Sequence, residues 1–173
     1  MGGFCFGEVK LKNMKKLILL LTVLSSIKLS AQNQKVIQDP RDNQEYNIVK
    51  IGDQVWMSEN LKFKVPNESW CYDDNNSYCV TYGRLYTWKT AQEACPKGWH
   101  LPSINEWITL LYNNGGEGPN AYSELIKSGV DHFNAQLGGV LGSSGHFARV
   151  EEATAYWTST LLDEGVPWSV MFY

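Results

Sequence analysis

The stretch "ACPKGWHLPSINEW", Ala94–Trp107, places a cysteine, a histidine and a glutamate close together in sequence. It reads either as a reactive site or as the hinge between two helices. Before it, "TWKTAQEAC" sets Trp88, Ala91, Gln92 and Cys95 at the i, i+3, i+4, i+7 spacing of one helical face. Pro96 and Gly98 stop that helix. Within it, Ser103 is a helix N-cap with Glu106 three residues on as its capping-box partner, and Trp107, Leu110 and Leu111 form the apolar stripe of the next helix. Glu106 thus has a structural role. A nucleophilic Cys95 would need an oriented base, but His100 follows a Pro-Lys-Gly turn and Trp99 that fix no such geometry. It reads instead as a partly buried hydrogen-bonding residue at the helix entrance. Cys95, His100, His132 and His146 lack the paired short spacings of zinc ligands. The stretch reads as a hinge, so no catalytic residue, metal ligand or cofactor is assigned.

Downstream, "NNGGEGPN" (113–120) ends the second helix in a loop, "AYSELIKSGV" suggests a short helical turn, and "AYWTSTLLDEGVPWSVMFY" reads as two strands around Asp163-Glu164-Gly165. Upstream, "EYNIVKIGDQVWM" gives two alternating runs, Glu45 to Ile51 and Gln54 to Met57, around the two-residue turn Gly52-Asp53. The elements form a mixed α+β set.

The amino-terminal part indicates the compartment. From Met14, "MKKLILLLTVLSSIKLSAQ" shows a charged start at Lys15 and Lys16, an apolar core over Leu17 to Leu24, and a small-residue exit at Ser30-Ala31. This is the pattern of a secretory signal peptide over 14–31, with cleavage expected after Ala31. The apolar run is far shorter than the roughly 20 residues that span a bilayer, so no membrane span is expected after cleavage. Residues 1–13 precede the better start at Met14 and show no periodicity. They are set aside as an upstream extension, and Cys5 with them. Residues 32–38 read as a short linker and 39–173 as one domain.

The portion after Ala31 carries ten Lys and Arg against seventeen Asp and Glu, a net −7 compared with −3 for the whole chain. An acidic surface without basic runs argues against nucleic acid or an anionic membrane as partner. All seven tryptophans fall in this portion, and each can bury roughly 150–250 Å². The core is expected to be aromatic.

Three cysteines remain after the leader: Cys71, Cys79 and Cys95. In an exported chain the default is a disulfide framework, and "CYDDNNSYC" places Cys71 and Cys79 around a polar turn where a hairpin would join them. Asp73, Asn75 and Ser77 alternate as calcium ligands do in a helix-loop-helix site. That loop needs Gly at its sixth position and Glu at its twelfth, where Tyr78 and Arg84 stand here.

"YNIVKIGDQVWMSENL", "CYDDNNSYC", "YGRLYTWKTAQEACPKGWHLPSINEW", "FNAQLGGVLGSSGHF" and "AYWTST" together resemble the successive blocks of the Fibrobacter succinogenes major paralogous domain family. More remotely, "TWKTAQEAC" with "GWHLPSINEW" resembles the two-helix signature of C-type lectin-like domains, and "HLPSINEW" with "YWTST" resembles the formylglycine-generating sulfatase-modifying fold. The resemblance implies two helices packed on twisted antiparallel strands with long loops. It also implies a closing C-terminal strand whose late cysteine would partner Cys95. No such strand follows Tyr173, so the domain is expected to be C-terminally incomplete, with Cys95 an unpaired thiol facing inward beside a vacant strand position.

The remote relatives lend no chemistry. Val65-Pro66-Asn67 is misplaced for a sugar-binding calcium loop, Trp168-Ser169-Val170 stands where acidic ligands would be wanted, and no cysteine follows Cys95 for sulfatase-modifying redox chemistry. The expected function is a noncatalytic exported module, secreted or at the cell surface, that binds a glycan or an extracellular protein through its loops. Candidate contacts are Trp70, Tyr72, Asp73, Asp74 and Tyr78 near the first bridge, with Asn113, Asn114, Asn120 and Tyr122 after the second helix. The alternative is an enzyme of unknown reaction descended from the sulfatase-modifying fold, which would need a concave pocket of convergent polar groups.

Overall fold

The computed structural model describes residues 1–7, 35–129 and 131–173. The leader pattern over 14–31, its cleavage point, and residues 8–13 of the upstream extension lie outside the described residues. The chain forms β1 (Phe6–Gly7), β2 (Lys35–Gln38), β3 (Glu45–Ile51), β4 (Gln54–Met57) and β5 (Ser69–Trp70). A 3-10 turn over Tyr72–Asp74 then leads into α1 (Asn76–Tyr82), β6 (Leu85–Tyr86), α2 (Trp88–Ala94), β7 (Trp99–His100) and α3 (Ile104–Asn113). Helix α4 (Pro119–Leu125) precedes β8 (Gly138–Leu141), β9 (Phe147–Val150), β10 (Thr154–Leu161) and β11 (Pro167–Phe172). This is a mixed α+β architecture.

One sheet runs β2-β3-β4-β1-β7 and another β11-β10-β8-β9, with β5 and β6 as a separate pair. Among the described strands pairing is antiparallel except where Thr154 of β10 meets Gly139 of β8, and an isolated parallel bridge joins Gly2 to Tyr156 of β10. The β3–β4 hairpin turns at Gly52, whose φ of +59° suits a residue without a side chain. Asn113 lies directly against it, within 2.5 Å of where a Cβ would sit.

Helix α2 is capped by Thr87, which accepts from the Thr90 amide, and α3 by Ser103 and Glu106 in a complete capping box. The carbonyl of Ala94, at the end of α2, accepts from Arg41 Nη2 at 2.7 Å. Arg41 is itself held by fully buried Asp39, which it contacts at 2.6 Å, and by the face of Phe63. Burial opposes ionisation of Asp39, but its hydrogen bonds to Arg41 and the guanidinium charge win, and the carboxyl lies below its ordinary value.

The core is aromatic, as the tryptophan content suggests. Trp56, Trp107, Tyr46, Tyr86, Tyr156, Phe4 and Phe133 are among its largest fully buried side chains. Trp107 touches Trp56, Phe133, Tyr156 and Phe172 at ring separations of 5.2, 5.6, 5.4 and 6.1 Å. Edge-to-face and offset pairs of this kind add to the stabilisation from burial alone.

Three expectations need correction. The extension at the amino terminus is not inert: Phe4, Cys5 and Phe6 are buried in the core, and β1 is hydrogen-bonded between β4 and β7. Cys95 is not a free thiol, because it is bridged to Cys5, and no free cysteine is present among the described residues. The strand position beside Cys95 is therefore filled. Residues 1–7 gave no periodic signal because their small-aromatic alternation is too short to show one, and their position ahead of the leader pattern argued for setting them aside. The segment between Cys71 and Cys79 is not a hairpin either. The 3-10 turn and the first turn of α1 reverse the chain instead, bringing the two Cα atoms to 4.9 Å and closing the expected disulfide. An exposed sheet edge does remain at the terminal hairpin, where among the described residues β11 pairs with β10 alone and shows Trp168 and Met171 to solvent.

Candidate functional site

A cleft of about 600 Å³ opens where β5, β6, the start of α2, the β8–β9 turn and β10 converge. Its lining includes Trp70, Trp88, Trp157, Tyr86, Leu85 and Leu141, with Gly142, Ser143 and Gly145 of the β8–β9 turn and Met1. The rings are fixed by backbone bonds. Trp88 Nε1 donates to the Thr158 carbonyl at 2.8 Å and Trp157 Nε1 to the Tyr86 carbonyl at 3.0 Å. With those N–H groups satisfied internally, both residues offer carbon surface to the cleft. Trp70 differs, since its indole N–H has no hydrogen-bond partner among the described residues, and it stands as a donor.

Among the described residues no Asp, Glu, His, Lys or Arg side chain borders the cleft. Met1 brings the amino terminus of the chain, whose pKa burial lowers to about 5. Burial drives the Tyr86 phenol well above its ordinary value, and its hydroxyl donates to the Phe63 carbonyl at 2.6 Å. The arrangement can stack on a flat apolar face and donate one or two hydrogen bonds.

Of the residues singled out in the sequence, Trp70 alone lines this cleft. Tyr72 packs against Tyr78 and Phe147, both at 5.3 Å, on the half-buried side of the bridged segment. Asp73 and Asp74 are exposed with φ of +52° and +53°. Asn75, their neighbour in the calcium pattern, accepts instead from Ser77 as the cap of α1. No cluster of three or more His, Cys, Asp or Glu able to hold a metal occurs among the described residues. The second group scatters. Asn113 sits against the β3–β4 turn, Asn114 closes α3 through a bond to Leu110, Asn120 is exposed on α4, and Tyr122 packs on Phe172. Trp88 and Trp157, which also line the cleft, were not among the candidates, because the helical spacing of Trp88 marks a core face and Trp157 falls within a strand.

The His100–Glu106 pair is a local tie. Glu106 accepts from the Ser103 amide at 2.7 Å and the Ser103 hydroxyl at 2.8 Å through one oxygen, and meets His100 Nε2 at 3.0 Å through the other. Every oxygen of the carboxylate is occupied. With Cys95 in a disulfide, no nucleophile stands beside His100.

Residues 49–173 match the model of the Fibrobacter succinogenes major domain, and the chain belongs to that family. No curated protein and no solved structure matches it.

Proposed function

We propose that this member of the family is an exported, noncatalytic binding module on a C-type lectin-like scaffold, and that it takes its ligand, a glycan in preference to a protein, in the tryptophan cleft. The observation that carries the reading is the convergence of Trp70, Trp88 and Trp157 on one cleft with no charged side chain in its lining. Sugar rings have flat C–H faces that stack on the negative face of an indole, and the hydroxyls around them accept from a donor such as the Trp70 N–H. Two disulfides and the absence, among the described residues, of a helix able to cross a membrane are compatible with an extracellular setting. The helix pair α2 and α3, joined by the Pro96–Gly98 turn and followed by the late β10–β11 hairpin, is the part of the fold that favours a lectin-like scaffold.

A glycan-array screen of the full chain, run with calcium and with chelator, tests this. The expected result is a saccharide retained equally in both conditions, because no acidic oxygen reaches the cleft. Its affinity should fall at least tenfold in Trp70→Ala while the urea midpoint changes little. Retention undiminished in that variant, or lost with chelator, would place the ligand elsewhere.

A further inference from the structure

The tryptophan cleft runs on into a second row of rings. Leu141, on the β8 wall of the cleft, is the cross-strand partner of Phe147 in β9. Residues opposed across an antiparallel ladder send their side chains to the same face, so Phe147 carries that wall onward. From Phe147 a row of half-buried rings continues over the bridged segment. Tyr72 lies 5.3 Å from Phe147, Tyr78 lies 5.3 Å from Tyr72, and Tyr82 stacks on Tyr78 at 6.1 Å.

The row is anchored at several points. Gly139 of β8, at φ +73°, leaves room for the Tyr72 ring, which a Cβ there would meet at 2.6 Å. The Cys71–Cys79 disulfide closes the segment that carries Tyr72 and Tyr78, and the Tyr82 hydroxyl donates to Glu151 Oε1 at 3.0 Å. The hydroxyls of Tyr72 and Tyr78 have no hydrogen-bond partner among the described residues. These two rings are held in place while their polar ends stay available. Their neighbours in the chain, Asp73 and Asp74, are exposed and repel anions.

We propose that this row is a second set of subsites continuous with the tryptophan cleft, and that the ligand is a linear, uncharged, β-1,4-linked pyranose chain lying along both. The inference rests on the saccharide reading of the cleft and adds the length, charge and linkage class of the ligand. Equatorial linkages keep successive rings of such a chain extended, each with C–H faces for an aromatic ring and hydroxyls at its edge for a phenol. Ring-to-ring steps of 5.3 to 6.1 Å are close to the length of one pyranose unit, so consecutive aromatics meet consecutive sugars. Each further sugar binds as part of a chain already held in the cleft, which raises its effective concentration at the row. A uronate or sulfated chain would bring anions to neutral rings and two aspartates.

Isothermal titration of the full chain with cello-, xylo- and manno-oligosaccharides, β-1,4-linked and three or six units long, tests this. The hexasaccharide of a series that binds should do so at least tenfold more tightly than its trisaccharide. Tyr78→Ala should bring the hexasaccharide to within about twofold of an unchanged trisaccharide. Tyr78→Phe, which keeps the ring, should retain most of the advantage, and Trp70→Ala should weaken both lengths. Deuterium exchange on the natural chain needs no variant: residues 72–82 should be protected by the hexasaccharide and not by the trisaccharide. Where Tyr78→Ala loses the trisaccharide as well, that exchange decides. Equal affinity for the two lengths, or a length advantage that leaves residues 72–82 unprotected, would overturn the row as a site and leave the cleft standing. Absence of binding in all three series would also overturn it, and the glycan array then separates the two readings. A saccharide retained there through Trp70 preserves the cleft alone, and none retained removes both.

Discussion

The hinge at Ala94–Trp107 and the cleft around Trp70 reverse each other. The hinge is rich in reactive residue types, yet Cys95 is in a disulfide, Glu106 is shared among Ser103 and His100, and Trp107 is wholly buried. Among the described residues the cleft is lined by no acidic or basic side chain and no thiol, and it is there that side chains are held in place by backbone bonds and left open to a visitor. Availability, more than reactivity, separates them. A polar group that folding has already satisfied gains little by meeting a ligand, whereas a fixed apolar ring beside water gains by being covered.

The contrast can be broken most readily at Trp107. Removing this ring from among the five that surround it, those of Phe4, Trp56, Phe133, Tyr156 and Phe172, should cost about 3–5 kcal/mol. Urea denaturation of Trp107→Ala checks it, and a loss below about 1 kcal/mol would mean that the hinge does not organise the core.

A smaller effect is expected at the cap. Ser103→Ala should cost about 1 kcal/mol through loss of the bond to the Glu106 amide, while leaving binding in the cleft unchanged. Binding lost with stability intact would move the site to the hinge.

Acid offers a third handle, through the clamp on the end of α2. The Asp39 carboxyl is held below its ordinary value of 3.8 in the folded chain. Its contribution is therefore present above that pH and lost as the pH falls through the lower folded value. Asp39→Asn should be less stable than the natural chain near neutral pH, and the gap in urea midpoint should close as the pH drops below about 3.8. A gap that stayed constant into acid would mean that the Asp39 charge is not what holds Arg41 to the Ala94 carbonyl.

The smallest effect belongs to the most suggestive residue. His100 has a side chain about half exposed, at 49%, and its bond to Glu106 lies at the surface. His100→Asn should change stability by no more than about 0.5 kcal/mol and leave any cleft binding intact. A large loss of binding in that variant would restore the hinge as a functional site.

Much was legible where one residue's chemistry acts on neighbours in sequence. The β3–β4 hairpin, helices α2 and α3, the capping box and the terminal hairpin follow from turn residues, period and caps, because the interactions that make them span only a few positions. The Cys71–Cys79 bridge was readable as a pairing, though its local shape was not. Alternating polar residues there suit both a hairpin and a capped turn, and Asn75 decides for the helix by accepting from Ser77. Of the candidate contacts read from the sequence, Trp70 lines the cleft.

Tertiary structure alone decided the rest. Trp88 and Trp157 lie far apart in the chain and become neighbours in a cleft only when α2 packs near β10, with each indole fixed by a carbonyl of another element. The amino-terminal strand depends still more on the assembled fold. Its isolated residues have no period, cap or turn to announce a structure, and two phenylalanines among glycines cannot hold an extended form by themselves. They become ordered because the folded domain offers strand edges on both sides, rings for Phe4 and Phe6, room for glycine alone at positions 3 and 7, and the sulfur of Cys95. Each of those partners stands at least 48 residues away from them in the chain, the separation of Gly7 from Val55.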